Sequence, residues 1–207
     1  KSAFHALNQK AAARRMAKGV GKKYEEMNVV VAHLGGGITV GAHRRGKVID
    51  CTHGLGEGPF TPERAGSLPT QELLELAVSG KLEKKALQGR LVGQGGLVAY
   101  LGTSDAQRVE EMIAAGDENA KLIFAAMAYQ VAKDIGAMAT VLAGKLDGIV
   151  LTGGLSHSGR LTSLISDRVR FLAPVHVHPG EDEMSALAEG GLRVLSGEED
   201  VKAYGQP

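Results

Sequence analysis

Two short stretches of the sequence place glycines directly after runs that are typical of buried strands. One is His33–Gly37 (HLGGG) and the other is Thr152–Ser156 (TGGLS). Glycine has no Cβ, so the backbone N–H groups at such positions can approach an anion closely. Where a helix follows, its dipole adds attraction for phosphate. The two stretches therefore predict anion-binding bends, while tight turns without a ligand remain the alternative.

The familiar phosphate-binding motifs do not fit. Lys22 follows Gly21 as in a P-loop, but Met16 stands where that motif needs its first glycine, and Lys23 replaces its Ser or Thr. No G-x-G-x-x-G follows a predicted strand, which disfavours an NAD-type oxidoreductase. A nucleotide would therefore bind in another kind of cradle.

The composition is that of an ordinary soluble domain, and it narrows the classes of partner. The chain has 207 residues, 43% hydrophobic and 23% charged, with a formal charge of +1. Such a charge gives no field that favours nucleic acid or an anionic membrane. No apolar run approaches the ~20 residues that cross a bilayer, and Cys51, the single cysteine, permits no internal disulfide. We expect a cytoplasmic protein that binds neither nucleic acid nor membrane. Because the sequence begins at Lys1 without an initiator Met, next to a predicted helix, we also expect a piece of a longer polypeptide.

The hydrophobic pattern predicts one mixed α/β domain of layered strands and helices. Strands are expected over 28–34, 38–42, 47–52, 147–152 and 169–178. Helices are expected over 3–18, 70–78, 81–88, 104–115, 117–143, 161–168 and 181–195. Pro174 interrupts the last predicted strand, which is therefore expected to lie at an edge of the sheet or to be irregular. The spacing in the longest helix predicts a buried face made of Leu122, Ala125, Ala126, Tyr129 and Ala132.

Six strings, in this order along almost the whole chain, jointly resemble one family. They are FHALNQKAAARR (4–15), VVVAHLGGGITVGAHRRGKVID (29–50), GEGPFTPERAGSLP (56–69), GDENAKLIFAAMAYQVAKDIGAMATVL (116–142), DGIVLTGG (147–154) and PGEDEMSALAEGGLRVLSGEE (179–199). The chain resembles the butyrate kinase branch of the acetokinase family, in the superfamily of acetate and sugar kinases, Hsp70 and actin. HLGGG and GEGPFTPERAG favour this branch over acetate kinase.

The resemblance implies an actin-like ATPase (ribonuclease H-like) fold with a mixed β-sheet flanked by helices. These kinases have two similar domains with the active site in the cleft between them. Residues 1–180 are similar to the second domain, and residues 181–207 to a terminal helix and tail that would pack on the first domain. The first domain, with its own phosphate loop and a metal-binding aspartate, has no counterpart in these residues. Family members are homo-oligomers joined largely through the second domain, so a homodimer or higher homo-oligomer is expected.

The resemblance also implies roles for individual residues. His5 would contact the phosphoryl group in flight, His33 would face the phosphates and Arg64 would be the active-site arginine; Gly35, Gly36 and Gly37 would bind phosphate. The nucleotide would be held by Asp105, Gly153, Gly154, Leu155 and Ser156, and Mg²⁺ by Glu183. Without the resemblance, each histidine would be placed in the core or on the surface, Arg64 in solvent, and Glu183 in an acidic helix start. Gln107 stands where relatives often carry an arginine.

The implied reaction is phosphorylation of butyrate, or a related short-chain or branched acid, by ATP to give butyryl phosphate and ADP. The implied cofactor is Mg²⁺, and the partners are the carboxylate substrate and the first domain. Acetate kinase activity and a nucleotide-binding module without catalysis are the alternatives, because half of the cleft would lie outside these residues. His176 and His178 could pair on a metal, but no third ligand is evident.

Overall fold

Five strands within the described part of the chain hydrogen-bond into a single mixed sheet. The computed structural model describes residues 4–180 and 183–201. The strands are β1 (Asn28–Leu34), β2 (Ile38–Arg44), β3 (Lys47–Cys51), β4 (Gly148–Gly153) and β5 (Val175–Pro179). Their spatial order is β3-β2-β1-β4-β5; the first three form an antiparallel meander, and β4 and β5 continue from β1 in parallel.

Helices cover both faces of this sheet. They are α1 (Ala6–Gly19), α2 (Thr70–Val78), α3 (Lys84–Leu91), α4 (Gly96–Leu101), α5 (Ala106–Ala114), α6 (Glu118–Val141), α7 (Gly159–Val169) and α8 (Glu183–Leu195). Two short 3₁₀ helices, Tyr24–Glu26 and Gly154–His157, complete the described structure. The mixed α/β architecture predicted from the sequence is confirmed.

The alternation of side chains along the central strands divides the core in two. Val30, Ala32 and Leu34 of β1 belong to the larger cluster, with α6 and α7. Val29 and Val31 point the other way and pack in a second cluster with Met16 and neighbouring alanines of α1. Residues of one strand two apart share a face. His33 therefore lies on the α1 face of the sheet.

The buried face of α6 differs from the predicted one. Ala132 is buried as predicted, but Leu122 and Tyr129 are exposed, and the helix buries a stripe on the sheet side. That stripe includes Ala120, Phe124, Met127, Ala128, Val131, Ile135 and Met138. By length and composition α6 could cross a membrane, yet this stripe packs into the larger core. The helix is therefore typical of a core helix.

The last strand also differs from its prediction. Residues up to Val169 belong to α7, and Pro174 precedes β5 instead of interrupting it. β5 does lie at an edge of the sheet, as predicted. The predicted helix start at Glu181, and with it the proposed boundary between domain and tail, lies outside the described residues.

The helix α8 shows most of its apolar side chains to solvent. Met184 is 78% exposed, Leu187 57% and Leu195 87%, while Ala186 is buried. Its main contacts with another element of the described chain are with α1. An apolar helix face of this kind is typical of a surface that another domain covers.

Candidate active site

The two glycine stretches lie side by side at the carboxyl ends of two neighbouring strands. We name them the first bend (Gly35–Gly37) and the second bend (Gly153–Ser156). They follow the parallel neighbours β1 and β4, in which His33 is paired with Thr152. Gly153 has φ +95°, and a Cβ there would stand 2.8 Å from the backbone nitrogen of Leu34. Gly153 of the second bend therefore packs against the end of β1, next to the first bend, and only glycine permits that approach.

A cavity of about 490 Å³ opens between the bends. Its wall includes Gly35 and Gly36 of the first bend and Gly154 and Leu155 of the second. Pro62, Glu63, Ser104, His157 and Gly180 complete the wall. Ligand-binding clefts commonly measure about 300 to 1,000 Å³, so the volume suits a nucleotide-sized ligand.

The first bend is the hairpin turn between β1 and β2, and a neighbouring loop is tied to it. The backbone nitrogen of Gly35 donates to the carbonyl oxygen of Gly37 at 3.1 Å. The Thr61 hydroxyl donates to the carbonyl oxygen of Gly36 at 2.7 Å and accepts from the backbone nitrogen of Arg64 at 3.0 Å. Thr61 is 2% exposed. It therefore fixes the Arg64 loop on the first bend.

The Arg64 side chain is directed at the first bend. A Cβ built on Gly37 would stand 2.5 Å from Cζ of Arg64, so the guanidinium lies against the backbone of that glycine. Nη1 of Arg64 also donates to the carbonyl oxygen of Gly54. A planar guanidinium held in this way presents fixed donors that match phosphate or carboxylate oxygens.

His5 and His33 form a stacked pair on the α1 face of the sheet. Their ring centroids are 4.0 Å apart and their planes differ by 22°. Nδ1 of His5 lies 2.9 Å from Oγ1 of Thr39, on β2. His33 is 1% exposed and stands two residues before the first bend. The structure thus brings the two predicted histidines together.

Of the predicted nucleotide residues, some line the cavity, and others hold the nearby backbone in shape. Gly154 and Leu155 line the cavity. Ser156 is buried, and its hydroxyl donates to the carbonyl oxygen of Gly153 at 2.6 Å, so this serine holds the shape of the second bend. Asp105 caps α5, its Oδ1 accepting from the backbone nitrogen of Gln107 at 2.8 Å. Its neighbour Ser104, which sequence reasoning did not select, lines the cavity.

Glu183, the predicted Mg²⁺ ligand, is oriented by α1. Its Oε1 accepts from Nδ2 of Asn8 at 3.3 Å, and Asn8 lies one turn after His5. Within the part of the chain that the structure describes, no group of three His, Cys, Asp or Glu side chains forms a metal site. A lone carboxylate of this kind fits Mg²⁺, which commonly takes one or two carboxylates and completes its shell with phosphate oxygens and water.

Several residues of the site were missed by sequence reasoning. Thr61 has a local signal, since a threonine whose hydroxyl accepts from N–H groups two and three residues later forms a recognisable turn. Glu63 and His157 of the cavity wall, like Asn8, have no such signal. A larger groove of about 1560 Å³ borders α1, the β2–β3 hairpin and residues 198–200, and contains none of the predicted site residues.

Solved structures share this fold. The chain superimposes on acetate kinase from Porphyromonas gingivalis with a TM-score of 0.84 and 23% identity, covering 93% of this chain and 55% of that one. A propionate kinase from Francisella tularensis subsp. tularensis superimposes with a TM-score of 0.78 and 24% identity, covering 88% of this chain and 53% of that one. A ROK family protein from Streptococcus pneumoniae is more distant, with a TM-score of 0.56 and 16% identity, covering 92% of this chain and 65% of that one. The architecture is the actin-like ATPase fold of acetate kinases and ROK sugar kinases.

The family follows from the sequence match. Residues 1–179 match the Acetokinase family, and the chain belongs to that family. It spans about half the length of the acetate and propionate kinases on which it superimposes, 55% and 53% respectively.

Proposed function

We propose that these residues form the phosphate- and nucleotide-binding wall of a carboxylate kinase, which transfers the γ-phosphoryl group of ATP to a short-chain acid. One observation carries the proposal: the two glycine bends lie side by side at the ends of β1 and β4 and line one cavity, with the Arg64 guanidinium against the first bend. Membership of the Acetokinase family supports the same activity.

The reaction needs positive charge and donors more than it needs a base. A carboxylate oxygen attacks the γ-phosphorus, a new P–O bond forms, and the bond to the β–γ bridging oxygen breaks with its electron pair going to ADP. No proton moves, because the carboxylate is already ionised at pH 7. Charge on the equatorial oxygens is stabilised by fixed donors, the role that we assign to Arg64, His5 and His33.

Mg²⁺ would be held by Glu183 together with phosphate oxygens of the nucleotide. Asn8 already donates to one oxygen of that carboxylate, so the side chain is oriented before metal or nucleotide arrives. When bound, the ion would neutralise phosphate charge. Leu155 and Gly154 in the cavity wall would lie along the nucleotide.

Butyrate is the acceptor that we propose, with branched short-chain acids as close alternatives. The strings HLGGG and GEGPFTPERAG support the butyrate branch. The test is acyl phosphate formation, trapped with hydroxylamine, by a polypeptide that carries these residues together with the proposed first domain. Acetate, butyrate and isobutyrate are compared at equal concentration. Equal or better use of acetate would overturn the choice of butyrate.

A nucleotide-binding module without catalysis is the second candidate, and it is favoured by the half-length match to solved kinases. We expect residues 1–207 alone to give no turnover and only weak ATP binding, because the opposite wall of the cleft is contributed elsewhere. Robust kinase activity from residues 1–207 would contradict this division of labour. ATP binding without acyl phosphate formation in the two-domain polypeptide would favour the second candidate.

We further propose that α8 packs on the first domain and that the protein assembles as a homo-oligomer in the cytoplasm. The exposed apolar side chains of α8, among them Met184 and Leu187, support a covering domain. Size measurement by sedimentation of the two-domain polypeptide tests the assembly, and a monomer at all concentrations would refute it.

A further inference from the structure

A line of buried polar side chains runs from Tyr24 to His5 across the α1 face of the sheet. Tyr24 Oη lies 2.7 Å from Nδ1 of His43, and Nε2 of His43 lies 3.1 Å from Oε1 of Gln9. Nε2 of Gln9 lies 2.9 Å from Oγ1 of Thr39, which in turn lies 2.9 Å from Nδ1 of His5. His43, Gln9 and Thr39 are each 0% exposed. We name these five residues the Tyr24–His5 network.

Gln9 fixes which atom donates and which accepts in each hydrogen bond of the network. The side-chain nitrogen of Gln9 also donates to the backbone carbonyl oxygen of Thr39 at 3.2 Å. A carbonyl oxygen can only accept, so the amide nitrogen must face Thr39 and the amide oxygen must face His43. An amide oxygen can likewise only accept. Nε2 of His43 must therefore carry the hydrogen of that bond.

His43 passes this direction on to Tyr24. Burial, with a smaller contribution from the charges of Lys10 and Arg14, lowers the pKa of His43 to about 4, so the ring is neutral near pH 7. A neutral ring that is protonated at Nε2 has an acceptor at Nδ1. Burial raises the pKa of Tyr24 to about 12, which keeps its phenol protonated. The Tyr24 hydroxyl consequently donates to His43.

Thr39 passes the direction on to His5. The hydroxyl oxygen of Thr39 accepts from Nε2 of Gln9 and, at 3.5 Å, from the backbone nitrogen of His5. A hydroxyl has two acceptor positions and one hydrogen. With both acceptor positions used, the hydrogen is directed at Nδ1 of His5. That nitrogen is then an acceptor, and Nε2 holds the ring proton.

We propose that the Tyr24–His5 network sets His5 in the Nε2–H tautomer, so that its ring offers an N–H donor to the migrating phosphoryl group. Gln9 and Thr39 are positioning residues, since they act through His5. The assignment of the tautomer stands on the described contacts alone, while its use in phosphoryl transfer rests on the proposed function. Stacking on His33 holds the plane of the ring.

One glycine supports the view that the network is a built feature. A Cβ on Gly41 would stand 3.3 Å from Cδ of Gln9 and 3.4 Å from Nε2 of His43, and closer still to the amide oxygen. Any other residue in this position of β2 would push Gln9 and His43 apart. The strand thus leaves room for the middle of the network.

The first test is nitrogen-15 NMR of the histidine rings in the protein, which distinguishes the two neutral tautomers directly. We expect both His5 and His43 to be protonated at Nε2, with Nδ1 an acceptor. Thr39→Val removes the donor to His5 and should convert its ring to a mixture of tautomers, while His43 is unchanged. Thr39→Ser restores the hydroxyl and should restore the Nε2–H form. Tyr24→Phe should leave His5 as it is, because the direction is fixed at Gln9.

A wild-type spectrum with the proton on Nδ1 of His5 overturns the proposal, and this result does not depend on any variant folding. An unchanged His5 spectrum in Thr39→Val overturns it as well. The second test is kinase activity in the two-domain polypeptide. We expect Thr39→Val to lower kcat by about 10-fold to 100-fold with little change in KM for ATP, and Thr39→Ser to rescue it. If the tautomer is as assigned but the wild type has no kinase activity, the proposed function fails and the tautomer assignment stands.

Discussion

The guanidinium of Arg64 lies against the backbone of Gly37. A Cβ on that glycine would stand 2.5 Å from Cζ of Arg64, so a side chain there would collide with the guanidinium. Thr61 anchors the loop of Arg64 to the adjacent Gly36 through its carbonyl oxygen, at 2.7 Å. Two contacts from one loop thus meet neighbouring residues of the first bend. The position of the positive charge therefore depends on the absence of a side chain at Gly37.

Gly37→Ala is expected to displace the guanidinium and to lower kcat of the two-domain polypeptide by about 100-fold, as for the loss of one fixed donor to a developing charge. Gly36→Ala is the matched control for kcat at saturating ATP, because a Cβ there would meet only a Glu63 oxygen, at 3.8 Å; since Gly36 lines the cavity, its KM for ATP is expected to rise. Steady-state kinetics with ATP and butyrate measures both. Equal activity of the two variants would show that Arg64 does not depend on this contact.

The second bend offers a similar pair of variants. Gly153→Ala is expected to lower the free energy of unfolding by about 3 kcal/mol, since a methyl group at φ +95° would strike the backbone of Leu34. Gly154→Ala has no atom within 4 Å of its new Cβ and is expected to change stability by less than about 0.5 kcal/mol. Because Gly154 lines the cavity, its variant should instead weaken ATP binding. Urea unfolding and calorimetry separate the two effects, and a stable Gly153→Ala would refute the close approach of the bends.

The buried His43 makes the protein less stable in acid. Its pKa is lowered to about 4 from 6.5, chiefly by burial, so between these values the unfolded chain binds a proton that the folded chain does not. The free energy of unfolding therefore falls as pH falls through this window, by up to about 3 kcal/mol. Urea unfolding across the window measures the loss. In His43→Gln the fall should be smaller by that amount, and an identical pH dependence would contradict the assignment.

Asp134 should act with the opposite sign. Burial raises its pKa from 3.8 to about 6, with Lys133 opposing the rise and Glu57 adding to it. Its Oδ2 has no hydrogen-bond partner among the described residues. Stability is therefore lost as pH rises through this interval, because the folded state disfavours the charged form.

Asp134→Asn removes that charge and is expected to stabilise the protein above about pH 7, with no gain below about pH 4. Thermal unfolding at the two ends of the range measures the difference. The exposed Asp167, 57% accessible at its side chain, provides the control, since Asp167→Asn should change little at either pH. A gain that is the same at both pH values would point to a cause other than ionisation.

The exposed face of α8 can be tested without the first domain. In residues 1–207, Leu187→Gln should leave the free energy of unfolding within about 0.5 kcal/mol of the wild type and should reduce self-association. Ala186→Gln, at a buried position of the same helix, should lower it. A large loss of stability from Leu187→Gln would mean that this face is already packed, and the proposed covering domain would lose its support.

Local patterns predicted the strands well and the helix faces less well. β1 begins and ends where its β-branched run meets polar and glycine residues, so Asn28–Leu34 was predictable. In α6, alanines surround the helix and blur the spacing, and the larger Phe124 and Met127 decide which face is buried. The apolar Phe171 and Leu172 lie between the end of α7 and the start of β5. Their apolar character made the predicted last strand begin too early.

The candidate site divides along the same line. The glycine bends and Arg64 lie in strings that the family resemblance identifies, and they were predictable as a set. The Tyr24–His5 network was not, because its members come from α1, β2 and a 3₁₀ helix, and meet only when the sheet is formed. Polar residues scattered in this way have no spacing that a sequence pattern can detect.

The pairing of β1 with β4 has a mechanical consequence. Five residue pairs, from Val29 with Gly148 to His33 with Thr152, join these strands in register. The loops that follow β1 and β4 cannot move apart unless the hydrogen bonds between these strands break, beginning at the pair His33 and Thr152. The part of the cavity wall that these two loops form is therefore held rigidly by the sheet.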